Sequence, residues 1–567
     1  MTMTTGETLW GAAASVGDAS MSMANHVIRV QADLQEMDAF FHIDISPRRH
    51  SVLEAYHNDE LALLGELDFE ALDQEGRVDY ILLRTFHTRR LSNLELKQAA
   101  QDEFRPLLPF ADDLVGLLEA RQAAEPLVAK EAAGTLNEIS ASIAQVQGEV
   151  LDGGFNVTET TGYLASKALE ELVGLLGEWY GFYATYDPSF DFWVPTPWEA
   201  ASGALSEYLT VVQTALAGMK QGDGEDDAIV GEPIGRAGLE VELAAEMIPY
   251  TPEELIAVGN QEFAWCESEM VAQAQALGFG DDWKAALEHV KNDYVEPGRQ
   301  TEFVRELVVE GANFVAERDL VTVPALANAT WRMTVIGAEQ QKVSPFFLGG
   351  PTLHVSYPVV DMDHGLKLMV MRGNNRHFAR ATAFHEMFPG HRLQLYMADR
   401  FQPHRRRLFD TPFFVEGWAL YWEMVLYDRD DFHDSPQGRI GALWWRMHRC
   451  LRILFSLQFH LGQMTAQEAV DLLVDRIAHE RSTAQGEVRR SLEGTYSPLY
   501  QAGYMLGALQ MRKLRELVVD PGLLSEKAYH DAILRMGMVP VEMAKALLLG
   551  DELTPDYTAK WKFYDFE

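Results

Sequence analysis

Two short segments hold the residue types that a hydrolytic metal centre needs. One is His385-Glu386-Met387-Phe388-Pro389-Gly390-His391; the other is Phe414-Val415-Glu416-Gly417-Trp418-Ala419-Leu420-Tyr421-Trp422-Glu423. In the standard H-E-x-x-H helix, two histidines at i and i+4 lie about 40° apart and converge on one Zn²⁺, with the adjacent glutamate facing a water molecule. Here the second histidine stands at i+6, about 120° round an undistorted helix and too far to share a metal. Pro389 and Gly390 cannot continue a regular helix, because proline loses a hydrogen bond and clashes with the preceding turn while glycine tolerates unusual dihedrals. A two-residue bulge at this pair is therefore expected to bring His391 back into register. The bland alternative is a helix ended by a Pro-Gly turn with incidental histidines beside it. The second segment argues against it, since a site of two histidines and one carboxylate takes the carboxylate from a following helix. Glu416 is well placed for that. Glu423, seven residues on and on the same face, would orient a ligating histidine or be the ligand itself.

The chemistry expected of such a site is metal-assisted hydrolysis. Zn²⁺ would polarise a scissile carbonyl and bring the pKa of water towards ~7, with Glu386 taking the proton and passing it to the leaving amine. A further electrophile must meet the oxyanion. Tyr496, Tyr500 and Tyr504 are the candidates, with Arg489 or Arg490 to grip a peptide carboxylate. His354 and His479 are further possibilities. For each of these the ordinary reading is a packed ring or a solvated charge.

The pair HEMFPGHRLQ and EGWALYWE resembles the bacterial "domain of unknown function 885" family, whose pattern is H-E-x-x-P-G-H-x-x-Q followed by E-G-W-A-x-Y. The resemblance continues through residues 234–259 (IGRAGLEVELAAEMIPYTPEELIAVG), 348–358 (LGGPTLHVSYP) and 497–510 (SPLYQAGYMLGALQ). That family is grouped with the gluzincin metallopeptidases, and FVEGWALYWE is more loosely similar to the zinc-binding helix of the neurolysin and thimet oligopeptidase group. The resemblance implies a large helical zincin-like peptidase with a deep cleft, one Zn²⁺ held by His385, His391 and Glu416, and Glu386 as general base. It also favours Tyr504, because a tyrosine follows the family's counterpart of Gln501. The family more often has Trp-Pro-Gly-Gln-Ala where this chain has Ser497-Pro498-Leu499-Tyr500-Gln501-Ala502, which puts the role of Tyr500 in doubt.

The elements that must position these groups read as mainly α. Leu61, Leu64, Leu67 and Phe69, then Val78, Ile81, Leu82 and Phe86, then Ile139, Ile143, Val146 and Val150 recur at the spacings of a buried helix face. Thr251-Pro252-Glu253-Glu254 reads as a helix start: a cap, proline in the first turn and two acids. Residues 351–360 (PTLHVSYPVV) and the run Leu366–Arg372 (LKLMVMR) read as two strands of a small antiparallel sheet beside the metal helix, whose edge would hold an extended peptide. At 567 residues the chain exceeds the ~250 to 300 at which one core stops growing. The division expected is a loose tail over 1–28, a helical lobe over 29–225 and a catalytic helical lobe over 226–567. The Gly-rich acidic stretch 217–235 marks the boundary.

With 85 acidic against 47 basic side chains and a formal charge of -38, the surface repels phosphates and anionic lipid, so neither nucleic acid nor membrane is an expected partner. The one basic run, His404 to Arg407, reads as a solvated helix end. Cys266 and Cys450 are too few for a disulfide framework and read as buried thiols. With neither a basic start plus apolar run nor a long apolar span, a cytoplasmic location is expected by default, and the triplets at Asn156 and Asn328 then carry no weight. The expected activity is zinc-dependent hydrolysis of short peptides. A specialised non-peptide amide is the alternative substrate, and a helical binding protein without catalysis is a third reading that the joint presence of His385, Glu386, His391 and Glu416 disfavours.

Overall fold

The computed structural model describes residues 22–219, 229–341, 344–409, 411–494 and 496–566. Residues 1–21 of the expected tail and the expected boundary near 225 lie outside these. The end of that tail is already helical, since a helix runs over Met23–Phe40. The described chain is mainly α, as its periodicity predicts. It divides into two compact units, one containing Val30–Glu66 and His87–Glu232, the other Leu67–Phe86 and Pro233–Glu567. Leu67–Phe86, expected in the N-terminal lobe, thus belongs with the second unit. Its buried Asp79 accepts hydrogen bonds from Arg405 Nε at 2.6 Å and His404 Nε2 at 2.9 Å. Two members of the supposedly solvated basic run are therefore core residues, because a carboxylate distant in sequence gives both a buried hydrogen-bond partner.

In the first unit, the helix Ala129–Leu151 buries Leu136, Ile139, Ile143, Val146 and Val150. Each such side chain contributes about 1.5–3 kcal/mol by leaving water.

The second unit carries the metal-site segments. The helix Pro252–Ala276 starts as the sequence predicts: Thr251 Oγ1 accepts from Glu254 N at 3.2 Å and Glu254 returns a carboxylate to Thr251 N at 2.8 Å. Strand β1 (Arg332–Val335) pairs with β2 (Thr352–Val355), but in parallel, with Arg332 opposite Thr352 and Val335 opposite Val355. The antiparallel expectation is thus corrected; only an isolated bridge between Leu348 and His354 runs that way. The second expected strand is instead helix α1 (His364–Gly373), because Asp363 caps it by accepting from Leu366 N at 2.9 Å. A short apolar run has no period that separates strand from buried helix, and here the cap decides.

Then follow α2 (Arg376–Glu386), capped by Asn375, α3 (His391–Ala398), α4 (Pro412–Tyr427), α5 (Pro436–His460), α6 (Arg481–Leu492) and α7 (Tyr500–Val518). Helix α5 is buried almost all round, as its apolar residues on every face require. Helices α4 and α7 touch backbone to backbone: a Cβ on Gly417 would stand 2.6 Å from the carbonyl carbon of Gly507, and one on Gly507 would overlap the Phe413 carbonyl. Nothing flexible can move aside there. Gly507→Ala is expected to destabilise the second unit by roughly 1–3 kcal/mol. Gly177→Ala, in the open middle of a first-unit helix, should be neutral or stabilising by about 0.4–1 kcal/mol. Differential scanning calorimetry of the two variants checks the contrast.

Candidate metal centre

Helix α2 ends at Glu386 and α3 begins at His391, so the intervening residues form a tight turn between two helices rather than the bulge expected within one. Gly390 N donates to Phe384 O at 3.1 Å, and Gly390 lies directly over the backbone of His385, where any Cβ would overlap the His385 carbonyl. Trp418 on α4 holds the turn from the other side, its Nε1 donating to Pro389 O at 3.0 Å. The Pro-Gly pair thereby does what its residue types suggest, returning the chain on itself so that the two imidazoles meet with ring centroids 4.8 Å apart and planes near perpendicular.

Glu416, one turn into α4, completes the group. Its Oε2 lies 3.2 Å from His385 Nε2 and 3.0 Å from His391 Nε2, and the three donor atoms all fall within 4.8 Å of one another. All three side chains are buried. A tetrahedral ion with bonds of about 2.0–2.2 Å separates its ligand atoms by roughly 3.4 Å, so the donor set and spacing fit a divalent metal with a small outward relaxation. Glu423 is not a member of the group. Its Oε1 accepts from His385 Nδ1 at 2.7 Å and from Arg449 Nη2 at 3.0 Å, which fixes the imidazole with Nε2 towards the other donors. Tyr500 donates its hydroxyl to Glu416 Oε1, which pins the carboxylate while leaving Oε2 to the histidines.

Burial works against a charged His385, but Glu416 and Glu423, with Glu386 behind them, outweigh it and hold the imidazole up to about 9. Burial likewise opposes the Glu416 carboxylate, yet the two histidines keep it well below the ordinary range. Burial pushes Glu386 up. The site is thus built for positive charge at its centre.

A cavity of about 230 Å³ opens beside the group, and Glu386, Tyr496, Tyr500 and Tyr504 all line it. The ring of Tyr504 lies parallel to that of His385 at 5.9 Å. Of the two arginines singled out from sequence, Arg490 lines the cavity and Arg489 does not; Arg489, half-buried one position along α6, faces elsewhere. Neither His354 nor His479 lines it. Sequence reasoning missed Arg449 and Arg452, although charged residues three apart in the apolar run of α5 are the kind of buried polar positions that carry function. It also missed Phe347–Gly349, which form a wall against Glu386; a Cβ on Gly349 would meet the Glu386 backbone oxygen at 2.5 Å.

A family profile described as bacterial protein of unknown function (DUF885) matches residues 42–548. The chain belongs to this family. Among solved structures, the DUF885 chain is similar to a protein of unknown function from Shewanella oneidensis, provisionally named a lipoprotein, at 17% identity and a TM-score of 0.68. That likeness covers 93% of this chain and 99% of that one. A second, also provisionally named a lipoprotein, from Colwellia psychrerythraea, matches at 16% identity and a TM-score of 0.58, covering 94% and 99%. These identities establish a shared fold. No curated protein matches the chain. The expectation of a cytoplasmic location, which rested on default alone, is corrected by these two neighbours, both of which carry the name lipoprotein. Among the described residues no helix is long and apolar enough to cross a membrane.

Because His385 holds a proton up to about pH 9, a metal entering this DUF885 site must displace it. Zinc affinity, measured by competition with a chelator, is expected to fall about tenfold per pH unit below that value for each proton displaced. In Glu423→Gln, which removes one of the groups raising His385, the fall should begin at lower pH and the affinity at high pH should drop about 10- to 100-fold.

Proposed function

We propose that the chain is a zinc-dependent hydrolase of the gluzincin kind that cleaves peptide bonds in short peptides. The observation that carries this reading is the convergence of His385 Nε2, His391 Nε2 and Glu416 Oε2 on one point, with a further carboxylate, Glu386, lining the cavity beside them. Two imidazoles and one carboxylate are the donor set of catalytic zinc sites that keep a position open. A bound Zn²⁺ would supply Lewis acidity to a carbonyl and acidify water there.

The chain's own residues account for the rest. Glu386 follows a ligand directly in sequence and sits in a buried wall, where its raised pKa brings its basicity closer to neutrality. It takes the proton of the attacking water and returns it to the leaving amine. Tyr504 is held protonated by burial and by the charge of Glu416, so its hydroxyl remains a donor for the developing oxyanion. Tyr500 is occupied with Glu416 and holds that ligand in place. The segment Phe347–Gly349 gives the substrate a backbone wall next to Glu386.

A second reading, hydrolysis of a small specialised amide, is favoured by the size of the cavity, about 230 Å³, which is below the ~300 to 1,000 Å³ usual for ligand pockets.

The test is turnover of a mixed short-peptide library by zinc-loaded protein and by Glu386→Gln. The wild type is expected to cleave peptides, and the variant to keep its zinc while losing about 10²- to 10⁴-fold in kcat. Equal turnover by the variant would remove Glu386 from the chemistry; zinc binding without turnover of any peptide would defeat the peptidase reading and leave the small-amide and non-catalytic binding readings.

A further inference from the structure

The cavity beside the metal group also carries three buried arginines, Arg449, Arg452 and Arg490. Two are neutralised. Arg449 bonds Glu423 at 3.0 Å, and Arg452 bonds Glu487 at 2.7 Å through Nε and 2.6 Å through Nη2. Arg490, 7% exposed, is different. Its Nε is buried with no hydrogen-bond partner, and no carboxylate of the described residues lies at ion-pair distance from its guanidinium. The acid nearest in effect is Glu487, which lies beyond ion-pair distance and is already bonded to Arg452.

The other acids lining the cavity do not answer this charge. Glu416 is engaged by both histidines and by Tyr500, and Glu386 is the proposed proton carrier. A buried cation without its own partner is costly, and folds that keep one generally do so for a ligand. The face of Arg490 rests on the ring of Tyr496, 4.9 Å from its centroid, which steadies the planar fork in one orientation. A guanidinium so held, with free donors in a cavity wall, matches a carboxylate bidentately. The protein's overall charge of -38 gives no long-range help to an anionic substrate, so selectivity for one has to be local, where salt does not screen it.

We propose that Arg490 anchors a substrate carboxylate, so that the site takes short peptides with a free carboxyl end rather than blocked ones. This rests on the hydrolase reading for the identity of the substrate, while the anchor itself is a binding site that stands or falls separately. Arg490 is a binding residue and takes no part in proton transfer.

The experiment uses zinc-loaded Glu386→Gln, so that bound peptides stay intact. It is exposed to two pools of short N-acetylated peptides that differ only in ending as carboxylate or carboxamide. Retained peptides are counted by mass spectrometry, and cleavage of both pools by wild-type protein is followed in parallel. The acids are expected to be retained about tenfold or more over the amides, the scale of one charge-assisted bidentate contact. Adding Arg490→Gln should bring the ratio to near one, with zinc content unchanged and Tm equal or higher, since Glu487 still pairs with Arg452. Adding Arg490→Lys, which keeps the charge and loses the fork, should leave an intermediate ratio, and it decides the matter if the glutamine variant does not fold. Acids and amides retained alike, neither pool retained, or a preference that survives in both variants would overturn the anchor. Acid-selective retention without cleavage by the wild type would leave the anchor standing and defeat the peptidase reading instead.

Discussion

Backbone passes against backbone at Gly390 and again between Gly417 and Gly507, with no room for a side chain at either place. The positions of the three ligand groups follow from those two contacts. The first folds the chain back over His385 so that the imidazole of a histidine six residues on meets its own. The second presses α4 onto α7, which sets Glu416 beside the histidines and brings Tyr500 within hydrogen-bond reach of it. Trp418 ties the two contacts together through Pro389 O. A ligand set spread over three helices needs this kind of over-determination, because a shift of about 1 Å at any of them would open the coordination geometry.

Electrostatics adds a second layer. The line from Arg449 through Glu423 to His385, and from Glu416 to Tyr500, is a continuous buried network in which each charged group has a partner of opposite sign or a hydrogen-bond donor. Burial strengthens such bonds and makes any unpaired member expensive. The network therefore favours one arrangement of the imidazole and carboxylate before any ion arrives, which is the preorganisation that a catalytic metal site requires. The same accounting leaves buried polar atoms without a hydrogen bond at His391 Nδ1, Glu423 Oε2, Arg449 Nε and Arg490 Nε.

Much of this was readable in the residues themselves. The motif pair located a buried His-His-Glu group that could hold a metal, because ligand chemistry restricts residue types severely, and Thr251-Pro252-Glu253-Glu254 announced a helix because a helix cap is purely local. Pro389 and Gly390 announced a departure from helix, though their types alone do not distinguish a bulge from a full break. What failed depended on partners distant in sequence. Leu366–Arg372 is apolar enough for either strand or helix, and β2 took an upstream strand in parallel instead. His404 and Arg405 read as solvated until Asp79, far away in sequence, is found beside them. Arg489 and Arg490 are neighbours on α6 with identical chemistry, and only the rotation of that helix separates the one that lines the cavity from the one that does not. Location was argued from absent signals, which are weaker than present ones.

The central claim is that His385, His391 and Glu416 hold one divalent metal. Anomalous diffraction from crystals of zinc-loaded protein, recorded just above and just below the zinc absorption edge, tests it most directly. The account predicts a single strong peak, present only above the edge, at about 2.0–2.2 Å from His385 Nε2, His391 Nε2 and a Glu416 oxygen. A peak elsewhere in the molecule, or zinc-loaded crystals with no density among these three side chains, would contradict it.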